Sequence, residues 1–270
     1  MVQAATMAAD TGDAMILENN LPFSTDGGIA ARAAIGVIVL ATDQTLEHEL
    51  RLMMNLPGVA FFESRIWNDA AITPETLKAM EDRIEEATRL ILPGLDLNVV
   101  AFGCTSASMV IGEEAVFDRI RRVRPGIACT TPITAAFAAF RAMGARRIGV
   151  ITPYRDDVNR VVADYITKRG LEVPIFGSFN EEDDRTVARI TTASLKNAVK
   201  RAVERARCDA VFVSCTSLRL AECAAEIEHE TGLPVTSSNH AMAWHALRLA
   251  GIADNQPRFG RLFTLPLADG

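Results

Sequence analysis

Two Cys-Thr-Ser tripeptides, Cys104-Thr105-Ser106 and Cys215-Thr216-Ser217, stand 111 positions apart in the 270-residue chain. Each follows a short apolar run of strand character, at 97–102 and 210–213. Each precedes a helical pattern, which the spacing predicts from Met109 and from Leu218 onward. A turn from strand to helix leaves backbone N–H groups without intrahelical partners, beside the positive end of the helix dipole. That field is expected to lower a cysteine pKa and suits a substrate carboxylate or a developing oxyanion. The Thr and Ser hydroxyls add donors. Two sulfurs facing one carbon could exchange protons, one as base and one as acid. Alternatively, one thiolate could add to an activated double bond, permit rotation and leave. A free Cys often packs as a small hydrophobe. Repetition of the tripeptide argues against that for Cys104 and Cys215; Cys129, Cys208 and Cys223 read as packing residues.

The elements that must position these loops form a duplicated series. Ile35-Gly36-Val37-Ile38 returns 113 positions later as Ile148-Gly149-Val150-Ile151. Asn98 to Ser106 is echoed by Asp209 to Ser217, and Gly126 to Thr131 by Gly232 to Ser237, each followed by a helix closed by glycine. Continuous β-branched runs at 34–40 and 148–152 suit strands covered on both faces. Thr73-Pro74-Glu75 opens a helical pattern that runs to Ile91, and helices are predicted at 132–143, 157–168 and 191–205. This alternation predicts an α/β fold of two similar Rossmann-like lobes with parallel sheets, related by a pseudo-twofold axis, with the site in the cleft between them. The boundaries read as an N-terminal extension 1–33, a first lobe 34–128 plus 236–258, a second lobe 129–235, and a tail 259–270.

Composition narrows the partners. With 49% hydrophobic and 23% charged residues the chain is globular, and its net charge of −6 disfavours nucleic acid and anionic membrane. Arg121-Arg122-Val123-Arg124 reads as a solvated helix end. Five cysteines form no disulfide framework, and no signal peptide or membrane span is evident, so a cytoplasmic protein is expected. No metal site is expected: Cys208, Cys215, Cys223 and His229 lack a Cys-x-x-Cys pair, and His240 and His245 are five apart rather than four. No Gly-x-Gly-x-x-Gly, P-loop or Gly-x-Ser-x-Gly motif is present. The helix-start donors of the two loops suit a small carboxylate substrate.

At Gly103-Cys104-Thr105-Ser106-Ala107-Ser108, Tyr154-Arg155-Asp156-Asp157-Val158-Asn159 and Ser214-Cys215 the chain resembles the aspartate/glutamate racemase superfamily. It is most similar there to the maleate cis-trans isomerase and arylmalonate decarboxylase branch. Leu40-Ala41-Thr42-Asp43-Gln44-Thr45-Leu46-Glu47 resembles the ectoine-utilisation protein A group. The resemblance spans residues 34 to 255. It implies a cofactor-free site between two lobes and a homodimer or homotetramer. It implies that Cys104 matches the cysteine that adds to the double bond and Cys215 the one that handles the proton. The decarboxylases keep a cysteine only at the Cys215 position, so two cysteines point to isomerase or racemase chemistry. Thr105, Ser106, Thr216 and Ser217 would bind carboxylate oxygens, and Tyr154 would donate to the same group.

One departure bears on the substrate. Where the maleate isomerase pattern carries Asn after the first strand, this chain has Asp43, and Asp184 is a second such change. An ionised aspartate would repel a second carboxylate and suit an amino or amidinium group, as in ectoine, hydroxyectoine and their ring-opened amino acids. Asp43 could instead cap the helix that follows. Maleate isomerisation, arylmalonate-type decarboxylation and small-molecule binding without catalysis are the alternatives.

Overall fold

The computed structural model describes residues 5–7, 15–69 and 73–268. A two-stranded antiparallel ribbon, β1 (Ala5–Met7) and β2 (Met15–Leu17), precedes the folded body, so the extension is not wholly irregular. The first four-stranded sheet holds β3 (Ala33–Leu40), β4 (Val59–Ile66), β5 (Val99–Gly103) and β6 (Ala128–Thr130), in the order β4-β3-β5-β6. The second holds β7 (Arg147–Thr152), β8 (Glu172–Ser178), β9 (Ala210–Val213) and β10 (Val235–Ser237), in the order β10-β9-β7-β8. Every neighbouring pair within the two sheets is parallel. Each half therefore places its second strand beside its first, then its third and fourth, which is the two-lobed α/β duplication the repeat predicts.

The repeated glycines have a packing reason. A Cβ at Gly36 would lie 3.0 Å from Leu97 Cδ1, and one at Gly149 would lie 3.1 Å from Cys208 Sγ. Both positions sit where a neighbour closes tightly on the first strand of its lobe, and Cys208 is such a neighbour.

The lobes share one core. Apolar residues of β3 and β5 join those of β7 and β9 through the helices Pro132–Ala142 and Ser238–Leu249. Phe140 of the former meets Phe212 of β9 edge-on at 5.6 Å. A second cluster, including Phe102, Met80, Ile84 and Ile120, covers the other side of the first sheet. The segment expected as a tail belongs to the core: Phe259, Leu262 and Phe263 are buried. Phe263 packs on the His240 ring, and the Phe259 carbonyl meets His240 Nε2 at 2.6 Å, so aromatic burial anchors residues 257–264.

The helical pattern from 73 to 91 is realised in pieces, Pro74–Lys78, a 3₁₀ turn Glu81–Arg83 and Ile84–Arg89. Among the described residues no helix is long and apolar enough to cross a membrane.

Candidate active site

The two repeated loops lie at the carboxyl ends of β5 and β9, the third strand of each sheet. Cys104 is the N-cap of the helix Thr105–Ile111, with extended φ −141° and ψ 117°, and its Sγ accepts the Ala107 N–H at 3.4 Å. The helix starts four residues before the apolar pattern predicts, because Thr105 and Ser106 already follow a capped turn. Gly103 permits this descent: a Cβ there would fall 2.5 Å from Leu46 Cδ2 and 2.9 Å from the Ile38 carbonyl.

The second loop departs from expectation. Cys215 and Thr216-Ser217 form a turn, and the next helix is Ala224–Thr231, not one starting at Leu218. Leu218, Leu220 and Ala221 are buried, and the Ala221 N–H donates to Glu49 rather than to a helical carbonyl. Cys215 Sγ still accepts one backbone donor, Ser217 N–H, at 3.4 Å.

Both sulfurs line one pocket. Its walls include Cys104, Thr105, Ser106, Tyr154, Asp184, Cys215, Thr216 and Ser217, and its free volume is about 40 Å³, room for a water molecule. A substrate must widen it. Eight of the nine site residues expected from sequence, all but Asp43, thus line one pocket. Thr105 Oγ1 donates to Ser238 Oγ at 2.8 Å and Ser217 Oγ to Asp184 Oδ1 at 3.2 Å, so these two hydroxyls already have acceptors. Ser106 and the backbone N–H groups at the start of the helix Thr105–Ile111 are the carboxylate donors this arrangement offers.

Asp43 does not line the pocket. Its Oδ1 accepts both Thr45 N–H and Leu46 N–H at 2.7 Å, so it caps the helix Leu46–Met53. Its Oδ2 is buried beside Thr216 with no hydrogen bond of ordinary length, and burial holds the carboxyl above its usual pKa. Asp184 does line the pocket with the two sulfurs. Burial raises its pKa too, opposed by the Ser217 hydroxyl.

The Tyr154 motif has a mechanical reading. Asn159 Nδ2 donates to the Tyr154 carbonyl at 2.8 Å, while Asn159 Oδ1 accepts the Thr152 hydroxyl. Ser178 Oγ donates to the same carbonyl. The backbone of Tyr154 is thereby pinned, which leaves its buried ring in the pocket. Burial pushes its phenol well above the usual range, and the nearby Cys215 thiolate would push it further.

The thiols do not follow the expected field. Burial pushes Cys104 up to about 11, against the Ala107 N–H and the Ser106 hydroxyl that favour its thiolate. Cys215 rises to about 12, from burial first and then the Asp184 charge, opposed by the Ser217 N–H and the Tyr154 phenol. Desolvation outweighs the helix terminus while the pocket is closed.

Sequence reasoning missed the opposite wall: Leu40, Asn68, Asp69, Thr76, Leu77 and Met80. The Thr73-Pro74 helix start was legible, but not that Thr76 and Leu77 line the same pocket as the other lobe's Tyr154 and Cys215. Among the described residues no Lys or Arg lines the pocket, and no group of three or more His, Cys, Asp or Glu could hold a metal ion.

The sequence and the fold that carry these two cysteines match those of known proteins. A family model described as arylmalonate decarboxylase matches residues 35–263. The chain belongs to the arylmalonate decarboxylase family. It is 35% identical over 198 residues to arylmalonate decarboxylase of Bordetella bronchiseptica, covering 72% of this chain and 82% of that one. It is 28% identical to maleate isomerase of Nocardia farcinica over 241 residues, 84% of this chain and 94% of that one. Among solved structures, a double mutant of arylmalonate decarboxylase in the liganded form matches with a TM-score of 0.75 and 31% identity, over 86% of this chain and 98% of that one. A Nocardia farcinica maleate cis-trans isomerase mutant with a covalently bound succinylcysteine intermediate shares the fold, at a TM-score of 0.78 and 24% identity, over 86% and 98% of the two chains. The branch expected from the motifs is correct, and the chain is an enzyme of that branch.

Proposed function

We propose that the chain is a cofactor-independent isomerase, acting as a racemase, epimerase or cis-trans isomerase at a carbon beside a carboxylate. The observation that carries this reading is a single pocket lined by both Cys104 and Cys215. In proton transfer, one thiolate takes the α-proton and the electron pair moves into the carboxylate as an enediolate. The other thiol then protonates the opposite face and is left as the thiolate. In the covalent route, Cys104 sulfur bonds to one alkene carbon while the π pair takes a proton from Cys215 at the other. Rotation about the new single bond, return of the proton to Cys215 and breaking of the C–S bond complete the isomerisation. In both routes the carboxylate rests on N–H donors at the helix start and on Ser106.

The charge of the site supports a substrate with one carboxylate and a cationic partner. Asp184 faces the pocket, and beside it opens a cleft of about 610 Å³ lined by Asp157, Glu181, Glu182 and Asp183 along with Arg155. A dianion such as maleate meets net repulsion there, whereas an amino acid or amidine does not. Ectoine, hydroxyectoine and their ring-opened derivatives have this chemistry and agree with the motif at Leu40 to Glu47. The reading includes a cytoplasmic homodimer or homotetramer, supported by the five unpaired cysteines and the family resemblance.

A second reading, decarboxylation of an activated malonate, is favoured by the 35% identity to arylmalonate decarboxylase. There CO₂ leaves and Cys215 protonates the resulting enediolate. Incubation of candidate carboxylates with the enzyme in D₂O, followed by NMR, separates the two. Deuterium at the α-carbon, or E/Z interconversion, without CO₂ release is expected. Stoichiometric CO₂ release would replace the first reading by the second.

A further inference from the structure

Behind the Cys215 loop lies a buried carboxylate that the chemistry above does not use. Glu49, on the helix Leu46–Met53 of the first sheet's lobe, is 0% exposed. Its Oε1 accepts the Ala221 N–H at 2.6 Å and its Oε2 accepts Asn239 Nδ2 at 2.8 Å. The same Asn239 nitrogen donates to the Thr216 carbonyl at 2.7 Å. One carboxylate therefore holds both ends of the loop that follows Cys215, directly at Ala221 and through Asn239 at Thr216. Thr45 of the same helix start adds a third tie, its hydroxyl donating to the Ser217 carbonyl at 3.1 Å.

We propose that ionised Glu49 is a positioning residue for Cys215, coupling the geometry of the second thiol loop to a helix of the opposite lobe. The chemistry of the donors explains why a carboxylate stands there. Both oxygens face N–H groups, which only an acceptor at each position satisfies; a glutamine or a protonated glutamic acid presents a donor to one of them. Protonation would leave either Ala221 or Asn239 facing a donor. Asn239 has a ready response, because its Oδ1 is buried without a partner. Turning its amide over would let Oδ1 accept the Glu49 proton, and would take the nitrogen away from Thr216.

Among the charged groups around the carboxylate, Glu222 raises its pKa and Cys223 shares its surroundings; all its hydrogen-bond donors are neutral. Burial, opposed by the Ala221, Asn239 and Leu220 donors, brings Glu49 up to about 7, so the two states interchange near neutral pH.

The inference rests on Cys215 being a reacting group, but its test reads loop geometry whatever the substrate. The rate of iodoacetamide labelling at Cys215 and at Cys104 is followed by peptide mass spectrometry from pH 5 to 9, in wild type, Glu49→Gln and Asn239→Ala. In wild type the ratio of Cys215 to Cys104 labelling should change across a step near pH 7. In Glu49→Gln the step should vanish and the ratio shift by about tenfold, the worth of one lost charge-assisted hydrogen bond. Asn239→Ala should shift the ratio in the same sense while Cys104 labelling stays as in wild type. A pH-independent wild-type ratio, or an Asn239→Ala ratio within twofold of wild type, would overturn the proposal even if Glu49→Gln failed to fold. Loss of turnover on every candidate carboxylate with the labelling pattern intact would sink the proposed function and leave this inference standing.

Discussion

The Cys104 and Cys215 loops share a tripeptide and a place in the topology, yet their sulfurs are held differently. Cys104 caps a helix that begins at the next residue. Cys215 lies in a turn eight positions before the next helix's N-cap, Cys223, and relies on one N–H, the Tyr154 phenol and a loop anchored from the opposite lobe. Burial is nearly the same, 4% and 5% exposed. Burial is the first cause of the raised pKa at both sulfurs, and what each sulfur faces beyond that differs. Helix-start donors favour the Cys104 thiolate, and at Cys215 the Asp184 charge is the second cause of the rise. Duplication supplied two sulfurs; divergence of the following segments gave them different donors. We propose Cys104 as nucleophile or first base and Cys215 as proton donor.

The strongest way to break this pairing is to remove one sulfur at a time. Cys104→Ala and Cys215→Ala should each lower isomerase turnover on the order of 10³-fold or more, since neither thiol can serve both faces. Activity surviving in Cys104→Ala, measured as CO₂ release, would show a decarboxylase that needs Cys215 alone.

Stability gives the next largest contrast, because only the Cys215 loop leans on a buried acid. The folded pKa of Glu49 lies above its unfolded value, about 7 against 4.5. Between those pH values the folded state binds more protons than the unfolded chain, so Glu49 contributes stability that is complete below pH 4.5. That contribution is lost as pH rises through 7, and it amounts to about 3 kcal/mol. Denaturant titrations of wild type should show this decline, and Glu49→Gln should flatten it. An equal decline in both proteins would locate the titrating group elsewhere.

The residue before each cysteine sharpens the comparison. Gly103 has the Ile38 carbonyl and Leu46 within 3 Å of where a Cβ would stand, so Gly103→Ala should destabilise by about 2 kcal/mol. Its counterpart Ser214 carries a buried hydroxyl with no hydrogen-bond partner. Ser214→Ala should be neutral or slightly stabilising, as a buried polar group without a partner contributes nothing. Thermal melts of the two variants check the pair, and equal losses would contradict it.

Much of this was legible in the sequence, for identifiable reasons. The strands at 34–40, 148–152 and 210–213 are continuous β-branched runs, and such runs are buried on both faces whatever surrounds them. Both Cys-Thr-Ser tripeptides sit at strand ends, where parallel sheets form their sites. What failed to show depended on distant partners. Leu218 to Cys223 has helical spacing but is drawn into an anchored loop by Glu49, 172 positions earlier. The apolar residues of 259–263 look like a tail until His240 is beneath them. Asp43 carries the chemistry of a ligand group, yet two N–H donors at its own helix start claim it. Desolvation outweighs the helix terminus at both thiols, and burial of Cys104 and Cys215 cannot be read from their neighbours in sequence.

The smallest expected effect tests the asymmetry itself. The Asp184 charge is the second cause of the raised pKa at Cys215, after burial, and a lesser one at Cys104. Asp184→Asn keeps an acceptor for the Ser217 hydroxyl while removing the charge. At constant pH, iodoacetamide labelling of Cys215 should accelerate by about two- to fivefold, and that of Cys104 by less, as a nearby like charge is removed from each thiolate. The same variant should turn over a cationic amino-acid substrate less well and a dicarboxylate better, because repulsion of the second carboxylate is relieved. A larger acceleration at Cys104 than at Cys215 would reverse the assignment of roles. No change in substrate preference would remove Asp184 from substrate recognition while leaving the two-thiol chemistry intact.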